Sequence, residues 1–164
     1  MHKKIEMLAN VAIVIVTLML GSVLVKQYFF AAPNKAIVKE VAAGTKISLP
    51  DVDWGKNHQT MLLILAQGCH YCADSAPFYQ KLLRETEQKG QIKLMAVFPQ
   101  GSSDGTKYLN DLGVPIKEVK MASLDAIGIT GTPSLILVNS EGVVTDVWLG
   151  QLPPDKQAEV LSRL

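Results

Sequence analysis

The only two cysteines of this 164-residue chain, Cys69 and Cys72, stand at the point where a predicted strand meets a predicted helix. The strand is the apolar run 61–66, and the helix is predicted over residues 70–89 with a kink at Pro77. A cysteine at the first turn of a helix lies near backbone N–H groups without helical partners, which stabilise a thiolate. Residues three apart share a helix face, so Cys72 can resolve a mixed disulfide on Cys69.

The same spacing leaves three other interpretations, which are a stapling disulfide, half of a metal site and two inert buried thiols. A bridge over two intervening residues closes a very small loop, so it removes little entropy from the unfolded chain. A structural zinc site normally has four Cys or His ligands, and His2, His58 and His70 form no second ligand pair. We therefore rank redox chemistry first, a metal site second and inert thiols last.

A second constraint is the almost unbroken apolar run from Met7 to Val25. About 20 apolar residues are enough to cross a bilayer as a helix. A cleaved signal peptide has a similar basic start, but this run is longer than a usual signal core and no small-x-small site follows it. We predict an uncleaved membrane anchor over residues 1–27, a linker over 28–40 and one folded domain over 41–164.

The charged residues predict less than the apolar run does about the location of this protein. Lysines lie on both sides of the apolar run, so they do not decide its orientation. An anchored Cys-x-x-Cys domain suits the periplasmic side of a bacterial-type inner membrane, where thiols can be oxidised, and we expect a single-pass protein there. The formal net charge is only +1 and the charges are interspersed, so nucleic acid is not an expected partner.

The rest of the chain alternates between the patterns of strands and helices. A polar-apolar alternation over 45–49 indicates an edge strand. Further elements are predicted as a strand over 92–98, a helix over 104–112, an extended segment over 114–121, a helical turn over 123–127, a hairpin of strands 134–138 and 143–149, and a helix over 154–164. Helices interleaved with strands and followed by a hairpin predict an α/β sandwich.

With strand, Cys-x-x-Cys, kinked helix and hairpin in this order, the chain from about Val41 to Leu164 resembles the thioredoxin superfamily. Pro77 lies eight residues after Cys69, where thioredoxins kink the active-site helix. Thr132-Pro133 opens the strand 134–138, where the family carries its cis-proline loop. The resemblance implies a thioredoxin-like fold, which is a central mixed β-sheet flanked by helices, and thiol-disulfide oxidoreductase activity through a redox-active disulfide, with no cofactor.

Within the superfamily the chain is most similar to the membrane-anchored TlpA/ResA-like branch. The likeness lies in the N-terminal anchor, a leading hairpin over 44–54 and a helix-plus-strand insertion over 103–121. The motif itself differs, because His70-Tyr71 occupy it where the branch usually has proline. Leu63 stands where thioredoxin has a buried aspartate, and Ser75 where cytochrome-maturation relatives have glutamate, so the resemblance identifies no proton acceptor.

The helix position assigns roles to the motif residues. Cys69 is the expected nucleophile, because it lies nearest the helix end, and Cys72 is the expected resolving cysteine. His70 is a candidate for tuning the pKa of Cys69, because a protonated imidazole beside the sulfur favours the thiolate and so makes the protein more oxidising. The competing interpretation is that His70 is solvated and has little effect on the pKa of Cys69.

Three further residues are predicted around the cysteines. A cis peptide before Pro133 would leave the Thr132 backbone free to pair with an extended substrate segment. Tyr71 is expected to flank the substrate surface rather than to perform chemistry. These three positions define the predicted substrate side of the site.

The leading functional hypothesis is a membrane-tethered thiol-disulfide oxidoreductase that acts on exported proteins. The TlpA/ResA resemblance favours the reductive direction, with a membrane or exported redox partner that resets the cysteines. The alternative is a copper-binding assembly factor, because two thiolates and a histidine can hold Cu(I). Related copper chaperones use Cys-x-x-x-Cys, so the tighter spacing here favours the oxidoreductase.

Overall fold

The computed structural model describes residues 40–164 throughout, together with residues 13–17, 19 and 21, which are helical. The chain divides into two units, Met1–Ile37 and Val38–Leu164. The predicted anchor over 1–27 and linker over 28–40 therefore fall mostly outside the described residues. Within the described part of the chain, no helix combines the length and apolar character that a membrane crossing requires.

Residues 40–164 form five strands and five α-helices. The strands are β1 (Gln59–Ile64), β2 (Ile92–Phe98), β3 (Val119–Met121), β4 (Ser134–Asn139) and β5 (Val144–Leu149). The helices are α1 (His70–Asp74), α2 (Ala76–Lys89), α3 (Ser102–Asp111), α4 (Leu124–Ile127) and α5 (Pro154–Ser162), and a 3-10 turn, Trp54–Lys56, precedes β1.

The strands form one sheet in the order β3-β2-β1-β4-β5. The β1–β2 and β2–β3 pairs are parallel, whereas β1–β4 and β4–β5 are antiparallel. At the centre, Leu63 of β1 pairs with Ala96 on one side and with Leu135 on the other. The predicted α/β architecture with a mixed central sheet is confirmed.

Both faces of the sheet are covered, which explains why β1 is apolar from Met61 to its end. Leu63 packs in one cluster with Leu82 of α2 and Val160 of α5. Leu62 points to the other face, where it packs with Ile127 of α4. Full burial of one such side chain stabilises the fold by about 1.5–3 kcal/mol, so the two layers hold β1 and the loop that follows it in place.

The leading hairpin predicted over 44–54 is not formed. The N–H of Ile47 donates to the carbonyl of Gly142, and the N–H of Val144 donates to the carbonyl of Thr45, each at 2.8 Å. The segment therefore lies along the start of β5 instead of folding back on itself. Its predicted alternation is present, because Ile47 is buried against the sheet, and that burial aligns the segment with β5.

The single kinked helix predicted over 70–89 is instead two helices that meet at Ser75. Pro77 has no N–H to donate to the carbonyl of Ala73, so the first helix cannot continue through it. The carbonyl of Ser75 accepts the N–H groups of Phe78 and Tyr79 and starts the second helix. The proline thus produces a break two residues earlier than the predicted kink.

Candidate active site

Cys69 and Cys72 are joined by a disulfide, with their Cα atoms 5.2 Å apart. The pair lies just beyond the carboxyl end of β1, at the start of α1. Cys72 is completely buried, whereas Cys69 is half-buried. An incoming thiol can therefore reach the sulfur of Cys69 more readily than that of Cys72, which is the asymmetry that the predicted roles require.

Cys69 is also the N-cap residue of α1. Its Sγ lies 3.2 Å from the backbone nitrogen of Cys72, whose N–H points to the sulfur, and its carbonyl accepts from Ala73 at 3.2 Å. After reduction, a thiolate at this Sγ would face the same N–H donor. Hydrogen bonds to a charged acceptor are stronger than neutral ones, so this contact favours the reactive form of Cys69.

The loop before β4 closes the other side of the disulfide. The Thr132–Pro133 peptide bond is cis, and the carbonyl oxygen of Thr132 lies 3.4 Å from the Sγ of Cys69. Pro133 is buried, and its carbonyl accepts the N–H of Gly150 at 2.8 Å. Among the described residues, the backbone of Thr132 has no main-chain hydrogen-bond partner, so it is available to an incoming chain.

The two residues inside the motif face solvent. His70 has 80% of its side chain exposed, and its Nε2 lies 3.1 Å from Oδ2 of Asp74. The imidazole predicted to act on Cys69 is thus paired with a carboxylate one turn further along α1. Tyr71 is 58% exposed, and its ring centroid lies 5.8 Å from that of His70, so it forms part of the open surface beside the cysteines.

Gln67 is a structural contributor that the sequence did not single out. Its side-chain Nε2 donates to the carbonyl of Asp104 at 3.1 Å, and its backbone N–H donates to Oε1 of Gln100 at 3.4 Å. These bonds join the loop before Cys69 to the segment after β2. Because parallel neighbours end at the same edge of a sheet, the two glutamines after β1 and β2 were a usable signal.

The positions where relatives carry an acid hold other side chains. Leu63 is fully buried in β1, and the hydroxyl of Ser75 donates to the carbonyl of Tyr71 at 2.8 Å. Tyr79 follows one turn after Ser75, and burial raises the pKa of Tyr79 to about 12, although the nearby Ser75 hydroxyl opposes the shift. A phenol with so high a pKa stays neutral at ordinary pH and cannot replace the missing carboxylate as a base.

The next feature is the arrangement of possible metal ligands in the part of the chain that the structure describes. No three His, Cys, Asp or Glu side chains are grouped there in a way that could hold a metal ion. The nearest histidine in sequence, His70, contacts Asp74 instead. The copper alternative stays a prediction.

A mixed sheet with a Cys-x-x-Cys disulfide beyond its central strand and a Thr-Pro loop beside it defines a thioredoxin-like redox protein. The family model for the thioredoxin-like domain matches residues 54–164, and the chain belongs to that family. With the Cys69–Cys72 pair at its active site, it is a thiol-disulfide oxidoreductase.

Solved structures share this fold at low sequence identity. The thioredoxin domain of a thiol-disulfide oxidoreductase from Bacteroides vulgatus has a TM-score of 0.56 at 18% identity, covering 76% of this chain and 98% of that one. A thiol:disulfide interchange protein from Bacteroides sp. has a TM-score of 0.54 at 20% identity, covering 75% of this chain and 86% of that one. A thiol-disulfide isomerase from Corynebacterium glutamicum has a TM-score of 0.55 at 16% identity, covering 76% of this chain and 93% of that one. No curated protein matches the chain significantly.

Proposed function

We propose that this protein is a membrane-tethered reductase of disulfides in exported proteins, with its redox domain on the periplasmic side of a bacterial-type inner membrane. The observation that carries the redox part of the proposal is the unequal burial of the two bonded cysteines, and the tether and the direction are supported by the sequence and its family resemblance. Cys69 is half-buried and Cys72 is completely buried, so one sulfur can meet a large substrate while the other stays protected for the second step.

The reaction is two successive thiol-disulfide exchanges. The Cys69 thiolate attacks a substrate disulfide, an S–S bond forms between protein and substrate, and one substrate thiolate leaves. Cys72 then attacks the Sγ of Cys69, the bond between Cys69 and the substrate breaks, and the thiol proton of Cys72 passes to the second substrate sulfur, which leaves as a thiol. Two electrons have passed to the substrate, and the Cys69–Cys72 disulfide must be reduced by a membrane or exported redox partner before the next cycle.

The surface beside Cys69 supports a protein substrate. The backbone of Thr132 lies next to the sulfur and has no main-chain partner among the described residues, so an extended substrate segment can add main-chain hydrogen bonds there. The exposed Tyr71 ring offers apolar contact area on the same motif. Such a surface recognises a chain conformation more than a particular side chain.

The membrane tether is supported by the sequence, through the apolar run from Met7 to Val25. It is tested by expressing the full chain and a version that lacks residues 1–27. The full chain should stay with membranes after washing at high salt, and the shortened chain should be released. Release of both would remove the tether from the proposal and leave the redox reaction untouched.

The direction is tested by equilibrating the full-length chain with glutathione and glutathione disulfide. A reduction potential near that of thioredoxin, about −270 mV, supports a reductase, whereas one near that of DsbA, about −120 mV, supports an oxidase. Trapping of substrates through a mixed disulfide on Cys69 then identifies the exported proteins that bind. A value in the DsbA range would overturn the reductive direction.

A further inference from the structure

His70 and Asp74 form a side-chain pair on the helix that begins at the cysteines. Nε2 of His70 lies 3.1 Å from Oδ2 of Asp74, and the two residues are one turn apart on α1. An ionised carboxylate only accepts hydrogen bonds, so we assign a proton to Nε2 of His70. This contact sets both the orientation of the ring and the nitrogen that carries the hydrogen.

No other charged side chain in the described residues pairs with His70. Tyr71 is the titratable neighbour, with its ring 5.8 Å away. Asp104 of α3 contacts the active-site loop through its backbone carbonyl. The Thr132–Pro133 loop presents a carbonyl to Cys69 rather than a charge. The local charge on α1 is therefore that of the His70–Asp74 pair.

We propose that Asp74 is a positioning residue for the Cys69–Cys72 pair. Asp74 holds the His70 imidazole on the solvent side of α1 and so weakens the electrostatic effect of that ring on the Sγ of Cys69. A lone imidazolium next to this sulfur would favour the thiolate and make the disulfide easier to reduce. Asp74 opposes that effect in two ways. Its charge balances the imidazolium, and its hydrogen bond keeps the ring at the carboxylate.

The inference rests on the disulfide exchange at Cys69–Cys72 in the proposed function, and the equilibrium with glutathione tests it. Two glutathione thiols reduce the protein disulfide and leave as glutathione disulfide, so two electrons and two protons enter the protein. Asp74→Asn removes the charge of Asp74 but keeps an amide oxygen that can accept from Nε2. Asp74→Ala removes both the charge and the acceptor, so the two variants separate charge from positioning.

At about pH 6, the equilibrium constant for reduction should rise about threefold in Asp74→Asn and about tenfold in Asp74→Ala. In a His70→Ala background both variants should give the same rise of about threefold, because only the carboxylate charge is left to remove.

Glu85→Gln is the matched control, because Glu85 and Lys89 form an ion pair of the same spacing on α2. Its equilibrium constant should equal that of the wild type. Equal effects of Asp74→Asn and Asp74→Ala at about pH 6, or effects of Asp74→Ala that do not depend on His70, would overturn the positioning role alone. A wild-type chain that never equilibrates with glutathione would instead overturn the proposed function, and the inference with it.

Discussion

The backbone N–H of Cys72 points to the Sγ of Cys69 across 3.2 Å, so the resolving cysteine also supports the nucleophile through its main chain. The side chain of Cys72 supplies the second exchange step, whereas its N–H supplies a donor to the first sulfur. A change of the Cys72 side chain that leaves the N–H in place should therefore remove resolution and keep the reactivity of Cys69.

Cys72→Ser is expected to stop the reaction at the mixed disulfide. With glutathione disulfide as the probe, Cys69 should form a stable adduct that mass spectrometry detects, because serine cannot displace glutathione from it. Cys69→Ser is the matched control and should form little adduct, since Cys72 is completely buried. Adducts of equal amount on both variants would contradict the assignment of nucleophile and resolving residue.

The parts of the fold that could be predicted are those whose cause is local. Strand β2 was predicted with its observed ends, Ile92 and Phe98, because burial on both faces gives a nearly continuous apolar run, here interrupted only by the half-buried Lys93. The segment near Ile47 shows the opposite case. Its alternation is local, but its partner Gly142 lies almost a hundred residues further along the chain, so the pairing could not be deduced from the segment itself.

In the active site, too, some features could be predicted from the local sequence and others could not. The strand-to-helix position of Cys69 and Cys72 was visible in the sequence, because it follows from an apolar run and a motif. The contact of His70 with Asp74 could not be deduced from the motif, because the side-chain rotamer is not specified by the strand-to-helix position. The four-residue spacing of His70 and Asp74 on a helix was the available signal.

Gly105 should not tolerate even one added methyl group. A Cβ at this position of α3 would lie 2.5 Å from Cδ2 of Phe98, whose side chain is completely buried. Although alanine favours helix over glycine by about 1 kcal/mol, the overlap should make Gly105→Ala less stable than the wild type by about 1–3 kcal/mol. Urea unfolding measures this change, with the exposed Ser103→Ala as the control in the same helix. Wild-type or higher stability would show that Phe98 can move aside.

Tyr79 should make the fold sensitive to alkali. Its hydroxyl is buried without a hydrogen-bond partner among the described residues, and burial raises its pKa to about 12. The unfolded chain loses this proton near the ordinary value of 10.0, so it binds fewer protons than the folded chain between about pH 10 and 12, and stability falls as the pH rises through that window. The loss amounts to at most about 2–3 kcal/mol.

Tyr79→Phe should remove this part of the alkaline loss and should not lower stability at neutral pH, because the buried hydroxyl that it deletes has no hydrogen-bond partner among the described residues. Thermal unfolding between about pH 7 and 11.5 gives the comparison. Tyr71→Phe, on the exposed motif residue, is the control and should keep the loss. Burial also raises the pKa of Tyr108, so a smaller slope should remain in Tyr79→Phe. An unchanged slope would contradict the role of Tyr79.

Glu159 should contribute to the loss of stability in acid. Its Oε2 accepts from Lys156 at 2.7 Å and its Oε1 accepts from the indole N–H of Trp148 at 3.0 Å, and these contacts lower the pKa of Glu159 below its ordinary value of 4.5. The unfolded chain therefore takes up the proton first as the pH falls. The stabilisation is present above about pH 4.5 and is lost as the pH falls through the folded-state pKa.

Glu159→Gln keeps an oxygen that can accept from Trp148 but cannot ionise. Its melting temperature should therefore fall less steeply than that of the wild type on acidification, and the two curves should approach each other at the acid end. Glu141→Gln, in the exposed turn between β4 and β5, is the control and should follow the wild-type curve. Parallel curves for Glu159→Gln and the wild type would show that the carboxylate contacts seen at Trp148 and Lys156 add no stability in solution.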